Sequence, residues 1–219
     1  MKNWCRSLLL VGLCAVAASS FAGSFEDFFS AVKRDDASAV RKLLERGFDP
    51  NTKNPDGLPG LYLALREPSP NVARTLIEWP KTDVDLRNQE DESPLMIAAL
   101  KGDKETAEKL IARNADVNKT GWTPLHYAAT SGSLDIIRLL LEHHAYIDAE
   151  SPNRTTPLMM AARYGSDDAV KLLLEEGADP TPRNQQNMTA ADFAQGAGRA
   201  ETVELLVGAI RARQPKGSW

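Results

Sequence analysis

An all-α solenoid of about six helix-turn-helix repeats, ended by degenerate capping repeats, is the architecture this sequence predicts. One pattern recurs three times: Ser93-Pro94-Leu95-Met96-Ile97-Ala98-Ala99, Thr123-Pro124-Leu125-His126-Tyr127-Ala128-Ala129 and Thr156-Pro157-Leu158-Met159-Met160-Ala161-Ala162. Looser copies lie at Pro59-Gly60-Leu61-Tyr62-Leu63-Ala64-Leu65 and Thr189-Ala190-Ala191-Asp192-Phe193-Ala194, and a degenerate unit opens the series around Phe28-Phe29-Ser30-Ala31. The aligned alanines Ala31, Ala64, Ala98, Ala128, Ala161 and Ala194 are 33, 34, 30, 33 and 33 residues apart. A leucine-rich stretch keeps the same register in every unit, from Val40–Leu44 to Val203–Val207. Periods of this length mark stacked supersecondary units that bury a face only against their neighbours.

Each element of the unit has a local cause. Ser93, Thr123 and Thr156 stand where a helix N-cap belongs, and the proline after each takes the first helical position, where a missing N–H costs nothing. The alanine pair lets a neighbouring helix approach closely. The second helix is apolar on more than one face, as a helix sandwiched between repeats must be. Gly47 and Gly177 follow that helix, where a left-handed cap is expected; Asn114 and His144 replace glycine in two units. Trp79-Pro80 departs further, so the second unit's exit should differ. The fourth unit is three residues short between Val117 and Trp122, which predicts a blunter loop. Repeats are expected near 25–54, 55–87, 88–118, 119–150, 151–183 and 184–213, with a disordered tail over 214–219.

These motifs resemble the ankyrin repeat, over nearly all of residues 25–210. The resemblance implies a binding surface made of loop tips and the exposed face of the first helices. Carried over position by position, it names Leu58, Glu92, Trp122, Thr155 and Met188 just before the helix caps. It names Arg66, Leu100 with Lys101, Thr130 with Ser131, and Arg163 with Tyr164 after the alanines, and Glu90 at a loop tip. Trp122, flanked by Leu100 and Tyr164, has the chemistry of an interface hot spot; folding back onto the short loop is the competing outcome. The acidic run Glu90-Asp91-Glu92 suits a basic partner patch or a plain solvated loop. The same resemblance makes His126 structural, bonded to the loop of an adjoining unit.

The N-terminus is a different kind of sequence. Lys2 and Arg6 precede an apolar run from Leu8 to Ala18, and Ser20 and Ala22 offer small residues for cleavage. A secretory signal peptide over 1–22 is expected, cut after Ala22. As an uncleaved anchor the run has about half the length that a bilayer span needs. Leu13 before Cys14 disfavours a lipoprotein. Cys5 and Cys14 leave with this segment, so the processed chain has no thiol to mispair in an oxidising compartment.

The full chain of 219 residues carries net charge −4. Loss of Lys2 and Arg6 leaves 24 basic residues against 30 acidic ones, the wrong sign for a nucleic-acid binder. No Walker loop, G-x-G-x-x-G or G-x-S-x-G occurs. The adjacent His143 and His144 point different ways at a helix end, with no third ligand at zinc spacing. The expectation is therefore a monomeric, non-enzymatic protein without cofactor or metal, periplasmic or secreted, that binds another protein. It would act as an accessory or as an inhibitor of the immunity type; the alternative is a secreted effector acting on a host protein, and an enzyme or metal-binding protein is more remote.

Overall fold

The computed structural model describes residues 23–213. The expected signal peptide and the expected disordered tail fall outside them. Among the described residues every regular element is helical, and one isolated β-bridge joins Lys53 to Pro59. The all-α expectation holds. The helices fall into two compact units, residues 23–89 and 90–213.

In the first unit, α1 covers residues 23–33 and α2 Ala37–Glu45. They are followed by α3, Gly60–Arg66, and α4, Pro70–Glu78. Asp36 caps α2 by accepting the Ala39 N–H at 2.9 Å. Phe28 is wholly buried, stacked on Phe48 at 4.7 Å and edge-on to Phe29 at 5.1 Å. That aromatic cluster explains the loose second signature: a Cβ at Gly60 would stand 2.6 Å from the Phe28 ring. Helix α4 ends at Trp79 in an extended conformation, the departure that Trp79-Pro80 predicts.

In the second unit four helix pairs follow one another. They are α5 (Pro94–Lys101) with α6 (Lys104–Ala112), and α7 (Pro124–Ser131) with α8 (Leu134–Glu142). Then come α9 (Pro157–Tyr164) with α10 (Asp167–Glu175), and α11 (Ala190–Gly196) with α12 (Ala200–Arg213). The first helices α5, α7, α9 and α11 pack side by side through their alanines; Ala99, Ala128, Ala129, Ala161, Ala162 and Ala194 have no exposed surface. Leu110, Ile136, Ile137, Leu140, Val170, Leu173 and Leu206 from the second helices fill the layer behind them. Ser93, Thr156 and Thr189 accept the N–H three residues on, as N-caps do.

The exits behave as the sequence predicts. Gly47, Asn114, His144 and Gly177 all have positive φ, from 62° to 103°. Gly165 after α9 is special for a different reason: its φ is −79°, but an added Cβ would lie 2.4 Å from the Ala129 carbonyl oxygen. Four residues past the left-handed cap, a side-chain amide ties one repeat to the next. Asn118 donates to the His144 carbonyl (2.8 Å) and accepts the Tyr146 N–H (2.8 Å). Asn51 does the same within the first unit, to Lys81 and Asp83. Asp148 holds the corresponding place in the next repeat and accepts the Asp179 N–H at 3.0 Å.

Candidate binding cleft

Between the first helices of the second unit lies a cleft of about 310 Å³ bounded by Leu100, Trp122, His126, Tyr127, Thr130 and Met160. Leu100 lies in the last turn of α5; His126, Tyr127 and Thr130 sit on α7, the last two one turn apart on one face; Met160 comes from α9. Trp122 reaches in from the loop before α7, half-buried, its ring edge-on to His126 at 5.2 Å and 74°. The hydroxyls of this lining are already engaged. The Tyr127 hydroxyl donates to Glu92 Oε1 at 2.7 Å, and the Thr130 hydroxyl donates to the His126 carbonyl at 2.8 Å. What remains facing the cleft is mainly hydrocarbon and aromatic surface, which gains by excluding water.

His126 is the fixed wall of the cleft. Its Nε2 lies 2.9 Å from the Thr155 carbonyl, which can only accept, and its Nδ1 lies 3.1 Å from the Thr123 N–H, which can only donate. The ring is therefore neutral with its proton on Nε2, and the Thr123 hydroxyl, 2.8 Å from Nδ1, also donates to it. Burial drives its pKa from 6.5 down to about 4; the nearby Lys119 ammonium adds to the shift and the bond to Thr155 opposes it. The structural role that the resemblance implies for His126 agrees with this geometry.

The short loop is held by Lys119, whose side chain is 1% exposed. Its ammonium donates to the carbonyls of Thr120 (3.0 Å) and Trp122 (2.8 Å) and pairs with Asp91 Oδ2 at 2.6 Å. All three of its protons are thus directed at oxygens.

Several sequence-predicted residues are placed around this cleft and others are not. Leu100 (42% exposed), Trp122 and Thr130 line it, and Glu92 stands behind Tyr127. Lys101, Ser131, Arg163 and Tyr164 are exposed at the C-terminal ends of α5, α7 and α9. Tyr164 carries the Arg163 guanidinium 5.3 Å from its ring centre and is not part of the lining; Met160 occupies the flank expected of it. Glu90 is exposed and Met188 half-buried. Arg66, in the first unit, is exposed and pairs with Glu67 at 3.6 Å. Two expectations are corrected. Leu58 and Thr155 are buried, at 7% and 1% exposure, and offer no side-chain surface to a partner. Each closes its own loop instead: Leu58 exchanges backbone and side-chain bonds with Asn54, and Thr155 with Ser151. Sequence reasoning missed Tyr127, Met160 and Lys119. The first two could have been found from their rank one place before the alanine pair, beside which Ile97 is smaller and buried.

Among the described residues no group of three His, Cys, Asp or Glu side chains could hold a metal ion, and no helix is long and apolar enough to cross a membrane. His143 caps α8 and His144 supplies the left-handed turn after it.

Comparison with known proteins points one way. The family model for ankyrin repeats in three copies matches residues 28–120, 61–151 and 145–214. The chain is similar to human transient receptor potential cation channel subfamily A member 1, 30% identical over 122 residues, 53% of this chain and 11% of the channel. It is also similar to the mouse B-cell lymphoma 3 protein homolog, 30% identical over 118 residues, 51% of this chain and 26% of that protein. The likeness thus spans between a tenth and a quarter of these relatives' own lengths. A crystal structure of an ankyrin repeat domain from Acinetobacter baumannii superposes with a TM-score of 0.71. It covers 83% of this chain and 96% of that domain at 25% identity.

Proposed function

The chain belongs to the ankyrin-repeat family, and from that premise we propose that it is an exported binding protein that seats a bulky apolar side chain of a partner protein in the Trp122 cleft. The observation that carries this reading is a concave, mainly apolar cleft whose polar neighbours are bonded among themselves. An occupant gains by shedding water and strands neither the Tyr127 nor the Thr130 hydroxyl. Lys101, Ser131, Arg163 and Tyr164, exposed at the ends of the first helices, supply a polar and aromatic rim for such an anchor. Export rests on the basic start, apolar run and small residues of 1–22, and a periplasmic accessory or inhibitory role on export together with an unmodified binding fold.

The test compares partner recovery by the wild type with Trp122→Ala and with Tyr146→Ala, an exposed aromatic outside the cleft. Loss of a central aromatic anchor weakens binding by about thirtyfold, whereas Tyr146→Ala retains it. Equal recovery by wild type and a folded Trp122→Ala protein removes the cleft from the binding site. Cell fractionation with N-terminal sequencing tests export: the processed chain is expected in the periplasm, starting at Gly23. Its presence in the culture medium instead favours the effector role.

A further inference from the structure

Resting on the reading of the Trp122 cleft as the binding site, we propose that Lys119 is the positioning residue of that site: its ammonium stands in for a backbone N–H that the short loop lacks, and so holds Trp122 over the cleft.

Three full-length loops of this chain close in one way. The residue before the helix cap pairs with the residue four positions earlier, its carbonyl accepting that residue's N–H and its own N–H reaching that residue's side chain. Thr155 with Ser151 (3.0 and 3.0 Å) and Met188 with Asn184 (3.0 and 2.9 Å) do this in the second unit. Leu58 with Asn54 (2.9 and 2.8 Å) does it in the first. Trp122 occupies the same rank, but its loop is three residues short. There the Trp122 carbonyl is met by Lys119 Nζ at 2.8 Å, and the same ammonium reaches back to Asp91 in the preceding loop at 2.6 Å.

Two consequences follow for the site. Closure by a side chain leaves the loop narrow enough for the indole to lie against His126, where Thr155 at the same rank in the next repeat is buried within its own loop. The ion pair also fixes the short loop to its neighbour, so the Trp122 wall and the Glu92–Tyr127 wall of the cleft keep one spacing. A hydrogen bond of a buried ammonium to a carbonyl is directional and strong. A methionine of similar length fills the space and supplies no donor.

The test reads the indole itself. Trp4→Phe, Trp79→Phe and Trp219→Phe leave Trp122 as the sole tryptophan. In that background Lys119→Met is expected to raise acrylamide quenching of Trp122 about twofold and to shift its emission to the red, because the loop loses its donor. Both readings are taken well below the thermal transition, where circular dichroism matches the parent. Lys119→Arg, which restores donors, is expected to recover most of the shielding. Unchanged quenching in a folded Lys119→Met protein overturns the proposal, even if its melting temperature falls, since that is the mark of a purely structural lysine. If Lys119→Met does not fold, Asp91→Asn releases the ion pair and is read the same way: more quenching supports the positioning role and none overturns it. Because the signal needs no partner, its failure is distinct from retention of partner by Trp122→Ala, which sinks the binding site and leaves the role of Lys119 standing.

Discussion

Acidifying this protein should cost it stability well above the pH at which carboxylates protonate, and His126 is the reason. Its folded pKa of about 4 lies below its ordinary 6.5, so the unfolded chain takes up a proton first as pH falls. Stability is then full above about pH 6.5 and declines steadily toward pH 4. The shift corresponds to about 3 kcal/mol in all, of which about 2.5 kcal/mol is lost by about pH 4.5. Asp167 and Asp192, held below the usual 3.8 chiefly by bonds from Thr202 and Thr189, give up their contribution only below that range. Asp148, whose pKa burial raises, works in the opposite direction and offsets part of the fall. The control is supplied by the chain itself. Met96 and Met159 occupy the rank of His126 in the flanking repeats, and their sulfurs accept the Ser93 and Thr156 N–H at 3.3 and 3.4 Å. His126→Met therefore removes the titration and keeps an acceptor for Thr123. It loses the bond to the Thr155 carbonyl, which still accepts the Ser151 N–H, so the cost at neutral pH should be about 1 kcal/mol. Urea unfolding from about pH 7.5 to about pH 4.5 decides the matter: the wild type falls and His126→Met stays nearly level. Parallel profiles for the two proteins would show that His126 does not set the acid limit.

Two further substitutions probe the packing. Asp148 occupies the place of Asn51 and Asn118 without their amide donor, so Asp148→Asn should bond the Gly177 carbonyl as Asn118 bonds that of His144. A gain of about 0.5–1.5 kcal/mol in urea unfolding is expected, and a loss would contradict the equivalence. Gly165→Ala drives a methyl against the Ala129 carbonyl and should cost about 2–3 kcal/mol, whereas Gly177→Ala, with open space but a φ of 103°, should cost about 1. The order of the two melting temperatures checks this; Gly165→Ala melting like the wild type would be incompatible with so close an approach.

What could be read in advance was whatever a residue determines from its own neighbourhood. Ser93 and Thr156 act as caps, Asn114 and His144 turn left-handed, and Trp79 alters its helix exit because each outcome depends on a few adjacent bonds. The alanine register was legible because tight packing between helices tolerates little else there. The cleft was only partly so. Leu58 and Thr155 share the rank of Trp122, and nothing in that rank tells an outward side chain from one folded into its loop. Asn54 and Ser151 close the loops of Leu58 and Thr155 from four residues earlier, and Asn184 does the same for the half-buried Met188, so burial at this rank is set by three-dimensional packing. Tyr127 and Met160 were hidden inside a signature read as structural. Lys119 belongs to no motif, and only the fold brings the Asp91 carboxylate and two carbonyls around it.

Long-range bonds within the second unit join adjacent modules: Ser131 to Ala99, His126 to Thr155 and Asn118 to His144 span 26 to 32 residues. Errors in such an array do not propagate. A trimmed segment needs mending only where it touches the modules on either side, and here one long amine suffices while the alanine seam and the glycine exits keep their geometry. Modularity of this kind lets a recognition surface be recut one edge at a time.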